Sequence, residues 1–185
     1  MAQITLEQNV GGIKGLCVIT PAVHGDERGY FFESYNSADM AEFGIDIVFV
    51  QDNQSMSAKG VLRGLHYQKH HSQTKLVRVI SGSVYDVAVD LRKNSPTYGR
   101  YYGIVLSAEN KKQFLIPKGF AHGFQVLSPM AEFCYKCDDF YHPDDEGGLA
   151  WNDPDIGIDW PETENVIISA KDKINPFFRN LKLDF

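Results

Sequence analysis

No stretch of the 185 residues holds the ~18 consecutive apolar positions that a membrane-crossing helix needs, so no such helix is expected. The opening residues, MAQITLEQNVGG, have neither a basic start nor an apolar run, and they do not read as a signal peptide. Cysteine is scarce. Cys17, Cys134 and Cys137 form an odd set of three without the spacing of a disulfide framework, which points to reduced thiols and a cytoplasmic location. Positive charge is in deficit, with 18 Lys and Arg against 24 Asp and Glu and a net charge of −6. That balance argues against a general nucleic-acid binder, while leaving room for a few Arg and Lys gathered around a small phosphorylated ligand. No G-x-G-x-x-G fingerprint follows a strand, which agrees with chemistry that needs no redox cofactor. Repeats, low-complexity tracts and Pro/Gly/Ser linkers are missing too. With 43% apolar and 23% charged residues, the chain reads as one globular domain over 1–185.

Helical signal is thin. Asn36-Ser37 before ADMAEF, closed by Gly44, predicts one short capped helix, and Ser169-Ala170-Lys171-Asp172 could open another. The remainder predicts strands at 13–20, 28–35, 46–51, 58–67, 75–80, 84–91, 101–106, 112–116, 121–127 and 131–137. KLVRVI and VYDVAVDL flank Ser81-Gly82-Ser83, a hairpin signal. In the second of these, Tyr85, Val87, Val89 and Leu91 alternate with Asp86, Ala88 and Asp90, the period-two pattern of a half-buried strand. Many short, closely spaced strands predict an all-β sandwich or barrel, here a jelly roll with a few short helices.

Three segments can carry chemistry. In GVLRGLHYQ (60–68), Arg63 and His66 sit among apolar residues and glycines. A His in such a setting can serve as a base, although a lone one is more often a buried structural residue. In IPKGFAHGF (116–124), Pro117, Gly119 and His122 make a P-x-G-x-x-H pattern similar to the second motif of cupins, whose His binds metal in the metallo-members. The first cupin motif would supply H-x-H and a Glu. This chain has His66-Tyr67-Gln68 there, and the adjacent His70 and His71 would face opposite ways on a strand. No metal is therefore expected. In AEFCYKCDDFYHP (131–143), Tyr135 shares a strand face with Ala131, Phe133 and Cys137. It is either a core tyrosine or a phenol aimed into a cavity. Cys134 and Cys137 are formally a CxxC, but on a strand their sulfurs point to opposite faces, and ordinary strand cysteines are the better reading. Asp172 has two readings as well. It fits a capping box with Ser169, or it could orient His66.

Taken together, the segments resemble the dTDP-4-dehydrorhamnose 3,5-epimerase family, which has a cupin-type double-stranded β-helix. The resemblance rests on DERGYFFESYN (26–36), FVQDNQSMSAKGVLRGLHYQ (49–68), TKLVRVISGSVYDVAVDLRKNSPTYGR (74–100), LSAENKKQFLIPKGFAHGF (106–124), YKCDDFYHP (135–143) and WNDPDIGIDWP with ISAKD through 172. Six such segments in order are specific where one would not be. KHHSQ (69–73) is less typical and reads as a loop variation.

The resemblance implies roles. His66 would be the general base, Asp172 its partner, Tyr135 the acid on the opposite face of the sugar ring, and Lys75 the stabiliser of the C4 enolate. Arg28 and Arg63 would clamp the diphosphate. Phe31, Glu33, Gln51, Asp52, Asn53, His122, Tyr141, Glu146 and Lys171 match further nucleotide- or sugar-contacting positions. The implied substrate is a dTDP-4-keto-6-deoxy sugar, handled without a cofactor, away from membranes and nucleic acid. A homodimer is implied in which one chain reaches its partner's nucleotide site. Three rivals stay open. One is a 3- or 5-epimerase on the same scaffold, another a metal-dependent cupin, and the third a non-catalytic nucleotide-sugar binding module.

Overall fold

The computed structural model describes residues 3–183. Its strands are β1 (Ile4–Gln8), β2 (Cys17–Pro21), β3 (His24–Asp26), β4 (Gly29–Phe31), β5 (Gln51–Ala58), β6 (Val61–Gln68) and β7 (Lys75–Ser81). They continue with β8 (Ser83–Asp90), β9 (Tyr101–Ser107), β10 (Gln113–Ile116), β11 (Phe120–Val126), β12 (Met130–Cys137), β13 (Glu146–Gly148) and β14 (Ile167–Ile168). One sheet runs β1-β2-β10-β7-β12-β5, and the facing sheet runs β13-β6-β11-β8-β9 with β14 alongside β6. A separate hairpin pairs β3 with β4.

The expected short helix is α1 (Ser37–Glu42), and the Asn36 side chain accepts from the amides of Ala38 and Asp39, the local cause of its start. The 169–172 signal ends in a single 3₁₀ turn at Asp172–Ile174.

Between the sheets lies an apolar core of Val18, Val77, Val79, Val84, Ala88, Phe114, Phe124 and Phe133 among others. A second core lies outside the β6-β11-β8-β9 sheet, where Leu149, Ile156, Trp160 and Leu183 cover Leu62, Leu65, Val87, Val89 and Leu91. This corrects the half-buried reading of β8. The stripe Tyr85, Val87, Val89, Leu91 packs under the C-terminal segment, while Val84, Asp86 and Ala88 are buried between the sheets. Both faces are covered, so Asp86 is an interior carboxylate.

Two other strand expectations shift. The predicted strand at 46–51 is largely unpaired, and the paired strand is β5, from Gln51 to Ala58, against β12. Its inward row is Gln51, Asn53, Ser55 and Ser57, so no hydrophobic alternation marks it. Within 28–35 only Gly29–Phe31 is paired.

Candidate active site

A cavity of about 600 Å³ opens between the two sheets, a size suited to a small organic ligand. Strands β6 and β11 bring Arg63, His66 and His122 to one wall; β5, β7 and β12 bring Asn53, Ser55, Lys75, Phe133 and Tyr135 to the other. Tyr141, Glu146, Ser169, Lys171 and Asp172 close the rim.

Arg63 and His66 are three residues apart and would lie on opposite faces of a regular strand. A bulge resolves this. His122 pairs with His66 and Phe124 with Arg63, so two residues of β6, Gly64 and Leu65, oppose the single Gly123. Leu62, Leu65 and Tyr67 then point into the outer core, while Arg63 and His66 both face the cavity. Gly64 is required at this point. Its φ is +113°, and an added Cβ would stand 2.7 Å from the His122 carbonyl oxygen and 2.8 Å from Gly123 Cα.

His66 Nε2 lies 2.5 Å from Asp172 Oδ1, and the Gly64 amide donates to Asp172 Oδ2 at 3.4 Å. Asp172 is buried, and its own amide donates to Ser169 Oγ at 3.1 Å. Asp172 thus makes the contacts of both sequence readings, its amide bonding Ser169 Oγ and its carboxylate meeting the histidine. Burial pushes this carboxyl up, but the hydrogen bond and charge of His66, with the Gly64 amide and Ser169, outweigh it and hold the pKa below the usual value. A carboxylate only accepts, so the bond places a proton on Nε2 and leaves the lone pair on Nδ1.

His122 makes a second such pair. Its Nε2 is 3.0 Å from both oxygens of Asp86, a residue with no exposed surface. Asp86 was not among the sequence candidates. The signal available was an aspartate between Val84 and Ala88 on a strand whose opposite row is wholly apolar. Burial raises its pKa, opposed by the charge of His122 and Lys75. His66 and His122 are thus each committed to a carboxylate, and among the described residues they belong to no group of three metal-type ligands. The donor set does not fit a cupin metal.

Lys75 sits 6.0 Å from the Tyr135 ring centroid, on the wall facing His66. Burial lowers the Lys75 pKa, countered by Cys137, Glu146 and Asp86. Burial raises that of Tyr135, keeping the phenol protonated at neutral pH. Tyr141 donates to Glu146 at 2.6 Å, and Lys171 pairs with the same carboxylate. The Glu146 bond pushes Tyr141 up to about 12.

Other candidates stand apart. Gln51 flanks the cavity, donating to Asn53 Oδ1 at 3.0 Å and accepting from the Tyr141 amide at 3.0 Å. Asp52 points to the outer face of the sheet, 2.5 Å from Lys136 Nζ. There it borders a smaller hollow of about 460 Å³ that Cys134 also lines. Cys134 and Cys137 do face opposite ways, and all three cysteines are free thiols. Arg28 and Phe31 are on the exposed β3–β4 hairpin, with Arg28 pairing to Asp26. Glu33 accepts from Asn36. None of these last three lines the cavity of its own chain.

The family model for dTDP-4-dehydrorhamnose 3,5-epimerase matches residues 11–180. A dTDP-4-dehydrorhamnose 3,5-epimerase from Methanothermobacter thermautotrophicus is 55% identical over 163 residues, covering 87% of this chain and 88% of the relative. A crystal structure of dTDP-6-deoxy-D-glucose-3,5-epimerase from Legionella pneumophila, in complex with dTDP-4-keto-L-rhamnose, superposes with a TM-score of 0.93 at 50% identity. It covers 97% of this chain and 95% of that one. A 3'-monoepimerase from Streptomyces bikiniensis, solved with dTDP, is more distant, at 31% identity and a TM-score of 0.83 over 88% of this chain and 83% of that one. The matches extend over nearly the whole jelly roll, both cavity walls included, and the chain belongs to the dTDP-4-dehydrorhamnose 3,5-epimerase family.

Proposed function

We propose that this protein, as one cupin-like domain, converts dTDP-4-dehydro-6-deoxy-D-glucose to dTDP-4-dehydro-L-rhamnose by inverting C3 and C5, a step of dTDP-L-rhamnose biosynthesis. The observation that carries this reading is a carboxylate-held imidazole and a protonated phenol on opposing sheets of one cavity, with an ammonium beside the phenol. A hydrogen on carbon next to a ketone is weakly acidic, so its removal needs a base on one face and charge stabilisation at the oxygen. His66 Nδ1 takes the proton. The C–H electron pair becomes the enolate double bond, and negative charge moves to the C4 oxygen, where Lys75 stabilises it. Tyr135 returns a proton from the other face, which inverts the centre. The C4 ketone activates C3 and C5 alike, so one base serves both, and no electron acceptor is consumed.

In this reading Arg63 holds the diphosphate with Arg28 from a partner protomer, since Arg28 and Phe31 project from the chain that carries them. Gln51, Asn53, His122, Tyr141, Glu146 and Lys171 contact nucleotide or sugar, and Phe31, Glu33 and Asp52 contribute at the protomer boundary. The three free thiols suit a reducing, cytoplasmic compartment. No helix among the described residues is long and apolar enough to cross a membrane. The single-centre alternative draws on the 3'-monoepimerase relative, but its 31% identity against 55% for a named 3,5-epimerase favours two centres.

Incubation of the sugar nucleotide in deuterated water, followed by NMR, tests the reading. Wild type takes up deuterium at both C3 and C5. His66→Ala loses exchange at both, by roughly 10²–10⁴-fold in rate. Tyr135→Phe keeps exchange while inversion is impaired. Exchange at one carbon alone would establish the single-centre enzyme, and persistent exchange in His66→Ala would reject the base.

A further inference from the structure

We propose that His71, Asp139 and His142 form a binding site for a divalent transition metal of the Zn²⁺ class beside Tyr141, a residue that lines the cavity. The three come from the two loops, 69–74 and 138–145, that follow β6 and β12. One donor atom of each lies within 4.8 Å of the others. The two imidazoles are stacked, with centroids 3.8 Å apart and planes at 17°, and His71 Nδ1 is 3.8 Å from Asp139 Oδ2. Tetrahedral zinc, with bonds of roughly 2.0–2.1 Å, wants its donors about 3.3–3.4 Å apart. To aim both lone pairs at one ion the stacked rings must part and tilt toward each other, a χ1/χ2 movement of the two histidines.

The backbone beneath the donors is already fixed. Gln68 donates to the His71 carbonyl at 2.8 Å and accepts from the His142 amide at 2.9 Å, bridging the two histidines through one side chain. Gln73 donates to the Asp139 carbonyl at 2.8 Å, and Asp145 accepts from the His71 amide at 2.8 Å. Among the described residues neither imidazole has a hydrogen bond to another side chain, so the ring nitrogens are available.

Two imidazoles and one carboxylate suit Zn²⁺, Co²⁺ or Ni²⁺, whereas Ca²⁺ and Mg²⁺ prefer a set of oxygens. Three protein ligands leave a fourth position for water. This site is distinct from the His66–His122 pair on the inner wall, so the proposed epimerisation does not depend on it. Its consequence is mechanical. A metal would clip the loop carrying Tyr141, the residue before His142, to the loop after β6.

The test uses full-length protein stripped with EDTA. Titration calorimetry with ZnCl₂ should show one equivalent bound, and MgCl₂ should give no heat. His71→Ala/His142→Ala should abolish that equivalent, and Asp139→Asn should weaken it by roughly tenfold or more. In wild type, NMR of the imidazole signals should show His71 and His142 shifting on titration while His24 does not, a readout free of any folding defect in the variants. Failure of wild type to bind, an undiminished equivalent in the double variant, or shifts confined to other histidines would overturn the site.

Discussion

The chemistry of single residues is set by what each side chain is tied to. Asp172 accepts from His66 Nε2, so Asp172→Asn should disturb the imidazole's tautomer and orientation while leaving the cavity shape intact. We expect kcat to fall by roughly 10²–10⁴-fold with KM nearly unchanged, read by steady-state kinetics. A parallel rise in KM would point to a general loss of the pocket. Asp90 is the corresponding structural case. It is buried, which by itself raises its pKa. Bonds from Arg92, Ser95 and Thr97 overcome that and lower it from 3.8 to about 2. A carboxyl with a depressed folded pKa contributes its stability above the unfolded value and loses it as pH falls through the folded one. The window therefore runs from about pH 4 down to about pH 2 and amounts to on the order of 2 kcal/mol. Asp90→Asn should lower the urea midpoint at pH 7 and flatten its fall across that window. An unchanged slope would show that other carboxyls govern acid unfolding.

At the scale of elements, the bulge in β6 decides the site. Gly64→Ala meets both a disfavoured φ and two backbone atoms inside contact distance. It should cost about 1–3 kcal/mol in urea unfolding and lower kcat as well, because His66 and Arg63 lose their common face. Stability lost without any change in rate would separate the bulge from catalysis. Elements also show what the sequence could and could not reveal. The Tyr85-Val87-Val89-Leu91 stripe was legible because apolar periodicity survives wherever one face meets a core. Strand β5 was not, because its inward row belongs to the polar cavity and carries Gln, Asn and Ser. The bulge left no periodic trace, and Asp86 hid in the row that a half-buried strand would show to water. The roles of His66, Tyr135 and Asp172 came from family resemblance, since the spacing alone left each with a structural alternative, and Lys75 came from the resemblance alone.

At the scale of the whole molecule, the β3–β4 hairpin carries Arg28 and Phe31 away from the cavity of its own protomer. The Arg28 side chain is 85% exposed and Phe31 is 68% exposed. If they complete a partner's site, Arg28→Ala should raise KM for the sugar nucleotide with little change in kcat, and light scattering should give twice the chain mass. A monomer with unaltered KM would remove the hairpin from the site.

The chain order of the His66–Asp172 pair has a further effect. The two residues are 106 positions apart, and every strand of both sheets precedes Asp172. During synthesis the barrel's strands are all made before the carboxylate that meets His66 emerges. Ile167–Ile168, lying parallel to Val61–Leu62 on β6, is the latch that delivers it. If the proposed mechanism holds, turnover reports that the segment bearing residues 167–172 has docked, and a protein clipped between Leu149 and Ile167 should leave His66 without its carboxylate.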